Sequence, residues 1–130
     1  MKKLIFLLFT GVLFASNLNW YSDYRKAFEI AKNEHKYVIV DISKHDCPPC
    51  EFMKETVFSG GDVFKLLQKK FILVSIYADS GDIPDKFRKH YFNFTPAILF
   101  YNDKGRFIKG VYGARSYKEF LKDLKEVLKG

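Results

Sequence analysis

The chain has 130 residues, 48% of them hydrophobic and 18% aromatic, with a formal net charge of +7. That length suits one domain, and the apolar share supports a real core, which excludes a disordered or low-complexity chain. The lysines are scattered rather than gathered into a basic stripe with exposed aromatics between them, which argues against nucleic-acid binding.

The first residues read apart from the rest. Lys2 and Lys3 give a positive start, Leu4 to Phe14 an apolar run, and Ala15 and Ser16 small residues for cleavage, the pattern of a secretory signal. Asn17 and Asn19 interrupt the run before the roughly 20 apolar residues a membrane span needs. Residues 1–16 are expected to be a signal peptide, with a retained N-terminal anchor as the alternative, and residues 17–130 the folded domain. Without Lys2 and Lys3 the chain keeps 20 basic and 15 acidic residues, a net +5.

Beyond that point the elements follow in order. Tyr24, Ala27, Phe28 and Ala31 recur at helical spacing, with Ser22 as candidate N-cap. Tyr37 to Ile42 is a short β-branched apolar run, a strand buried on both faces. A helix is expected from Pro48 to Val57 and another over "GDVFKLLQKKF". Phe71 to Asp79 is a second buried strand, and a helix begins at Pro84. "PAILFYN" and "RFIKGVY" flank the turn "NDKG" as a hairpin. Ser116 and Glu119 form a capping box for the last helix. Early strands separated by helices pair in parallel and the hairpin is antiparallel, giving an α/β architecture with a central mixed sheet flanked by helices. Phe28, Phe64, Phe71, Phe100 and Phe120 are assigned to the core. Core is also the first assignment for Phe94 and Tyr112, with the active face as their alternative.

The chain has two cysteines, Cys47 and Cys50, separated by Pro48 and Pro49. Proline is tolerated where a helix begins, because its missing N–H would be unbonded there anyway. Cys47 is then expected just before a helix and Cys50 one turn in, on the same face. Their sulfurs reach each other without backbone movement. The free N–H groups and positive dipole end favour a thiolate at Cys47, the attacking species in disulfide exchange. Three readings stand. A structural staple closing so short a loop stabilises little. A metal site has soft ligands in the two cysteines, with His45 near them for copper, but His35, His45 and His90 are not at zinc-finger spacing. A redox couple fits the spacing best. Export into an oxidising compartment favours pairing of the two cysteines.

The segments "VIVDISKHDCPPC", "NFTPAILFYNDKG" and "GRFIKGVYGARS", in that order, resemble the thioredoxin superfamily over most of the chain after Asn17. Within it, "CPPCEFMKETVF" is similar to the C-terminal domain of the bacterial disulfide-interchange reductase DsbD and to small exported thioredoxin-like proteins, which share a phenylalanine at the position of Phe58. The resemblance implies a thioredoxin-like fold and thiol:disulfide exchange without a bound cofactor. It makes Cys47 the nucleophile and Cys50 the more buried resolving thiol. Pro96 is expected to be cis, leaving the backbone of Thr95 free to bind a client strand. Asp41 stands where the family keeps a buried acid; burial raises its pKa and allows proton transfer to Cys50 through water, with a strand-end acid facing solvent as the alternative.

Two departures accompany the match. Asp46 replaces the family's usual tryptophan before the first cysteine, and its charge opposes the Cys47 thiolate or marks a docking surface. The family also pairs its buried acid with a lysine on the next strand, where Ser75 stands here. The resulting expectation is a monomeric periplasmic oxidoreductase working in the reducing direction. Its electrons would come from a membrane thiol relay and its clients would be thiols or disulfides of exported proteins, apocytochromes among them. A periplasmic copper carrier using Cys47, Cys50 and His45 is the alternative.

Overall fold

The computed structural model describes residues 17–130. The expected signal segment, residues 1–16, lies outside the described residues. Among those described, no helix is long and apolar enough to cross a membrane.

Five strands form one sheet in the order β1-β3-β2-β4-β5. Strand β2 (Tyr37–Ser43) is central, as its nearly continuous apolar run requires. It pairs in parallel with β3 (Phe71–Tyr77) and antiparallel with β4 (Ala97–Tyr101), which pairs antiparallel with β5 (Phe107–Tyr112). The expected α/β architecture with a mixed sheet is what the chain adopts. A further edge strand, β1 (Trp20–Tyr21), pairs in parallel with Leu73 and Val74 of β3. The sequence reading missed it because two residues carry no periodicity of their own.

Period-two alternation splits the sheet's side chains between two cores. Val38, Val40, Ile42, Val74, Leu99 and Tyr101 face helices α1 (Tyr24–Glu34) and α4 (Asp85–Arg88). On the other face Ile39, Leu73, Ile98 and Phe100 meet helices α3 (Gly61–Lys70) and α5 (Tyr117–Lys129). Phe120 is fully buried there between Phe58 and Phe100, and truncating such a side chain to alanine typically costs about 3–5 kcal/mol. Asp41 and Ser43 share the strand parity of Ile39, so they point to this same face.

The helix boundaries correct several expectations. Asp23, not Ser22, caps α1, its carboxylate accepting from the N–H groups of Arg25 and Lys26. The helix expected from Pro48 to Val57 divides into α2 (Pro48–Phe52) and a π-helical turn (Met53–Val57), closed by the Phe58 N–H on the Met53 carbonyl at 2.8 Å. The wider turn brings Met53, Val57 and Phe58 together into the core. The helix after Pro84 is one turn only: past Arg88 the chain runs in turns closed by the His90 N–H on the Phe87 carbonyl and the Tyr91 N–H on the Arg88 carbonyl, and Phe92 and Asn93, with left-handed φ values of 58° and 55°, end any helical continuation. The last helix opens with the expected capping box of Ser116 and Glu119. The "NDKG" turn is closed by Asn102, whose side-chain oxygen accepts from Lys104 and Arg106.

Phe71, Phe100 and Phe120 are buried as expected, while Phe28 and Phe64 are half-buried. Phe94 is 53% exposed, which removes it from the core, and Phe92 is 70% exposed.

Candidate active site

Cys47 and Cys50 form a disulfide with Cα atoms 5.3 Å apart. The two prolines start α2 and Cys47 is its cap residue, as their order in the chain dictates. Cys47 is 8% exposed and Cys50 2%. The order of access is the expected one, but both residues are buried in this oxidised state. Asp46, immediately before it, is exposed with a φ of 57°. Aspartate tolerates that left-handed conformation better than most residues, which supplies a backbone reason for its place at this corner.

The loop before β4 faces the disulfide. The Thr95–Pro96 bond is cis, and the Thr95 Oγ1 lies 3.7 Å from the Cys47 Sγ. The Pro96 carbonyl accepts from the Gly113 N–H at 2.8 Å, tying this loop to the end of β5. Phe92 packs against Tyr112 with ring centroids 5.4 Å apart, and the half-buried Tyr112 hydroxyl donates to the His90 carbonyl at 2.5 Å. From the opposite side the Arg115 N–H donates to the Met53 sulfur, and its guanidinium holds the buried Asp123 at 2.9 Å and 3.1 Å. Helix α2, the Thr95–Pro96 loop and the 113–116 loop are thereby fixed to one another around the sulfurs.

Asp41 lies on β2 in register with Ser75 of β3. It is 2% exposed, so it is a buried acid and not a strand-end residue in solvent. Burial pushes its pKa up from 3.8 to about 6, against the lowering effects of a hydrogen bond from Ser43 and the charge of Lys54. The Ser43 hydroxyl donates to the carboxylate at 3.2 Å. A carboxyl titrating near neutrality is matched to proton transfer at physiological pH. A cavity of about 500 Å³ reaches it, bordered by Trp20, Lys54, Phe58, Phe64, Ser75 and Tyr77 among others.

His45 is turned to Asp79. Its backbone N–H and its ring Nδ1 bond the two oxygens of Asp79 at 3.1 Å and 3.2 Å, and the ring stacks on Tyr77 with centroids 4.2 Å apart. Among the described residues no group of three His, Cys, Asp or Glu side chains stands ready to hold a metal. In this oxidised structure the sulfurs of Cys47 and Cys50 are bonded to each other and the His45 ring to Asp79.

The structure thus gathers Cys47, Cys50, Thr95 and Pro96 at one face, while Asp41 is buried in β2 and reached by the cavity. Sequence reasoning missed Lys54 and Tyr77. Lys54 had a legible signal, its place four residues after Cys50 on a helical run. Tyr77 had none beyond membership of a strand.

Residues 24–128 match the family described as a thioredoxin-like domain. A thioredoxin from Thermus thermophilus is 28% identical and superposes with a TM-score of 0.73, over 85% of this chain and 87% of that one. The DsbH oxidoreductase, 18% identical with a TM-score of 0.68 over 87% of this chain and 85% of that one, shares the fold. Spermatogenesis-associated protein 20 of Mus musculus is 31% identical over 80 residues, and this chain spans only 10% of its length. The matched span runs from the first residue of α1 almost to the end of α5 and takes in the disulfide, the buried acid and the cis-proline loop. The chain belongs to the thioredoxin-like domain family.

Proposed function

We propose that this chain is an exported thiol:disulfide oxidoreductase that reduces disulfides in client proteins through Cys47 and Cys50. The observation that carries the reading is the Cys47–Cys50 disulfide, set at the start of a helix and against the Thr95–Pro96 loop, with Cys47 the more accessible sulfur. In the reduced protein the Cys47 thiolate attacks a client disulfide. A bond forms between Cys47 and one client sulfur, and the other client sulfur leaves as a thiolate. Cys50 then gives its proton to the Asp41 carboxylate and attacks the Cys47 sulfur. The mixed disulfide breaks, the second client sulfur leaves as a thiolate, and the Cys47–Cys50 bond forms. Two electrons pass from the dithiol to the client, and the two protons of the dithiol pass to the client thiolates or to solvent.

The motif's similarity to the C-terminal domain of DsbD supports the reducing direction and an electron supply from a membrane thiol relay. The signal-like residues 1–16 support a periplasmic location, with exported proteins such as apocytochromes as clients. No bound cofactor is needed for this exchange. The clients would be trapped in Cys50→Ala, where attack proceeds and resolution does not. Covalent adducts should accumulate in the periplasm with Cys50→Ala and not with Cys47→Ala. Equal trapping by the two variants would refute the ordered mechanism. Equilibration with glutathione gives the direction: a couple more reducing than the compartment's thiol pool supports reduction, and a strongly oxidising couple refutes it.

A further inference from the structure

Asp41 is a buried acid whose in-register neighbour on the adjacent parallel strand, Ser75, is neutral. The cationic side chain on the cavity wall beside it comes from another element. Lys54 belongs to the π-helical turn, four residues beyond Cys50, and borders the cavity together with Asp41, Ser75 and Tyr77. Its ammonium donates a hydrogen bond to the Tyr77 hydroxyl and lies 4.8 Å from the centroid of the Tyr77 ring. The Tyr77 ring is itself held from one side by the stacked His45, which Asp79 fixes in turn. A flexible four-carbon side chain is thus anchored at its tip, and its charge is kept at the cavity instead of swinging to solvent.

We infer that Lys54, anchored by Tyr77, is a positioning residue for proton transfer at Asp41, supplying from the helix the positive charge that the strand itself does not provide. This inference rests on the proposed exchange reaction and adds to it the device that sets its proton acceptor. The groups facing Asp41 bear it out in sign. On its own strand Ser43 donates to the carboxylate. From β3 come the neutral Ser75 and the hydroxyl of Tyr77, and β4 contributes the apolar Ile98 as its ladder partner. Lys54 carries the favourable charge, with Glu51 as its nearest acidic neighbour on α2 acting on the lysine. The hydrogen bond to Tyr77 foremost, and the charges of Tyr77, Asp41 and Glu51, keep the ammonium protonated above its ordinary range against partial burial. A cation on the same cavity wall as a carboxyl that burial drives towards neutrality keeps the carboxylate available to receive the Cys50 proton.

The test is a titration of the Asp41 carboxyl carbon by NMR in the oxidised protein, where no turnover is required. Wild type should titrate at about 6. Lys54→Met keeps the apolar stem and removes the charge, and should move the midpoint up by roughly one pH unit. Lys54→Arg should restore it to within a few tenths of a unit, and Tyr77→Phe should shift it upward by less than Lys54→Met. In the reduced protein, resolution of a preformed mixed disulfide at pH 6.5 should then be about threefold slower in Lys54→Met, following the loss of ionised Asp41. An unmoved or lowered midpoint in Lys54→Met, or a shifted midpoint with an unchanged resolution rate, overturns the inference whatever happens to thermal stability. Failure of wild type to reduce any client disulfide would defeat the functional reading alone, because the oxidised titration does not depend on it.

Discussion

The ring of Phe94 lies 3.3 Å from the point where a β-carbon on Gly113 would stand, and Gly113 holds a φ of 87°. The glycine serves two ends at once, a left-handed turn after β5 and room for an exposed aromatic beside the cis-proline loop. Gly113→Ala should therefore destabilise the protein by roughly 1–3 kcal/mol, combining the left-handed penalty with a displaced ring. Adding Phe94→Ala should relieve the contact and recover part of the loss, leaving the backbone cost. Chemical denaturation of the two variants measures this, and full recovery in the double variant would show that the backbone term is negligible.

Asp41→Asn should stabilise the folded protein at neutral pH while slowing exchange. The folded-state pKa of Asp41 is raised from 3.8 to about 6, so the folded protein holds that proton more tightly than the unfolded chain does. Stability from the neutral form is fully present below about pH 4 and is lost as pH rises through about 6. Above that, wild type carries a penalty on the order of 2–3 kcal/mol for an ionised buried carboxyl. Melting curves of the oxidised proteins at pH 7.5 should favour Asp41→Asn by several degrees, and the difference should vanish near pH 4. A difference that persists at pH 4 would attribute the effect to packing instead.

In the reduced protein, a limiting amount of iodoacetamide at pH 7 should label Cys47 well before Cys50. Cys47 begins the helix and is the more accessible sulfur, while Cys50 is 2% exposed. Peptide mapping by mass spectrometry reads the ratio, and preferential labelling of Cys50 would reverse the assigned roles.

Asp46→Asn should accelerate that labelling by removing a negative charge beside the thiolate. Asparagine also tolerates the left-handed φ of 57° at this corner, so the fold should be unaffected. Salt should shrink the gain, since the side chain is exposed. Asp46→Ala should bring the same charge effect together with a stability loss on the order of 1 kcal/mol from the backbone. Equal rates in Asp46→Asn and wild type would leave the turn, and not the charge, as the reason for this residue.

Much of this arrangement was legible in the sequence because the decisive signals are local. A nearly continuous apolar run rich in β-branched residues marks β2, paired prolines mark a helix start at Cys47, and Ser116 with Glu119 marks another. The buried state of Asp41 was legible from its position within an apolar strand. What the sequence concealed depends on neighbours. Trp20 and Tyr21 are a strand only because the edge of β3 stands beside them. Ser22 and Asp23 are both competent caps, and only the geometry of the first turn chooses Asp23. The helix after Pro84 was read too long because nothing local announces that Phe92 and Asn93 turn left-handed. Phe94 looked like core because an apolar residue carries no mark of its own exposure. Lys54 reads as a solvated helix charge until Tyr77 is found at its tip.

The shortness of β1 has a consequence for traffic through the molecule. It pairs only with Leu73 and Val74 and stops short of Ser75 and Tyr77, so the cavity beside Asp41 is bordered on that side by Trp20 and not by a longer edge strand. Neither cysteine, Thr95 nor Pro96 borders that cavity. A client seated over Cys47 would therefore cover the cysteines and leave this cavity uncovered. On the proposed mechanism, the proton taken up by Asp41 would have a way to solvent that a bound client does not cover.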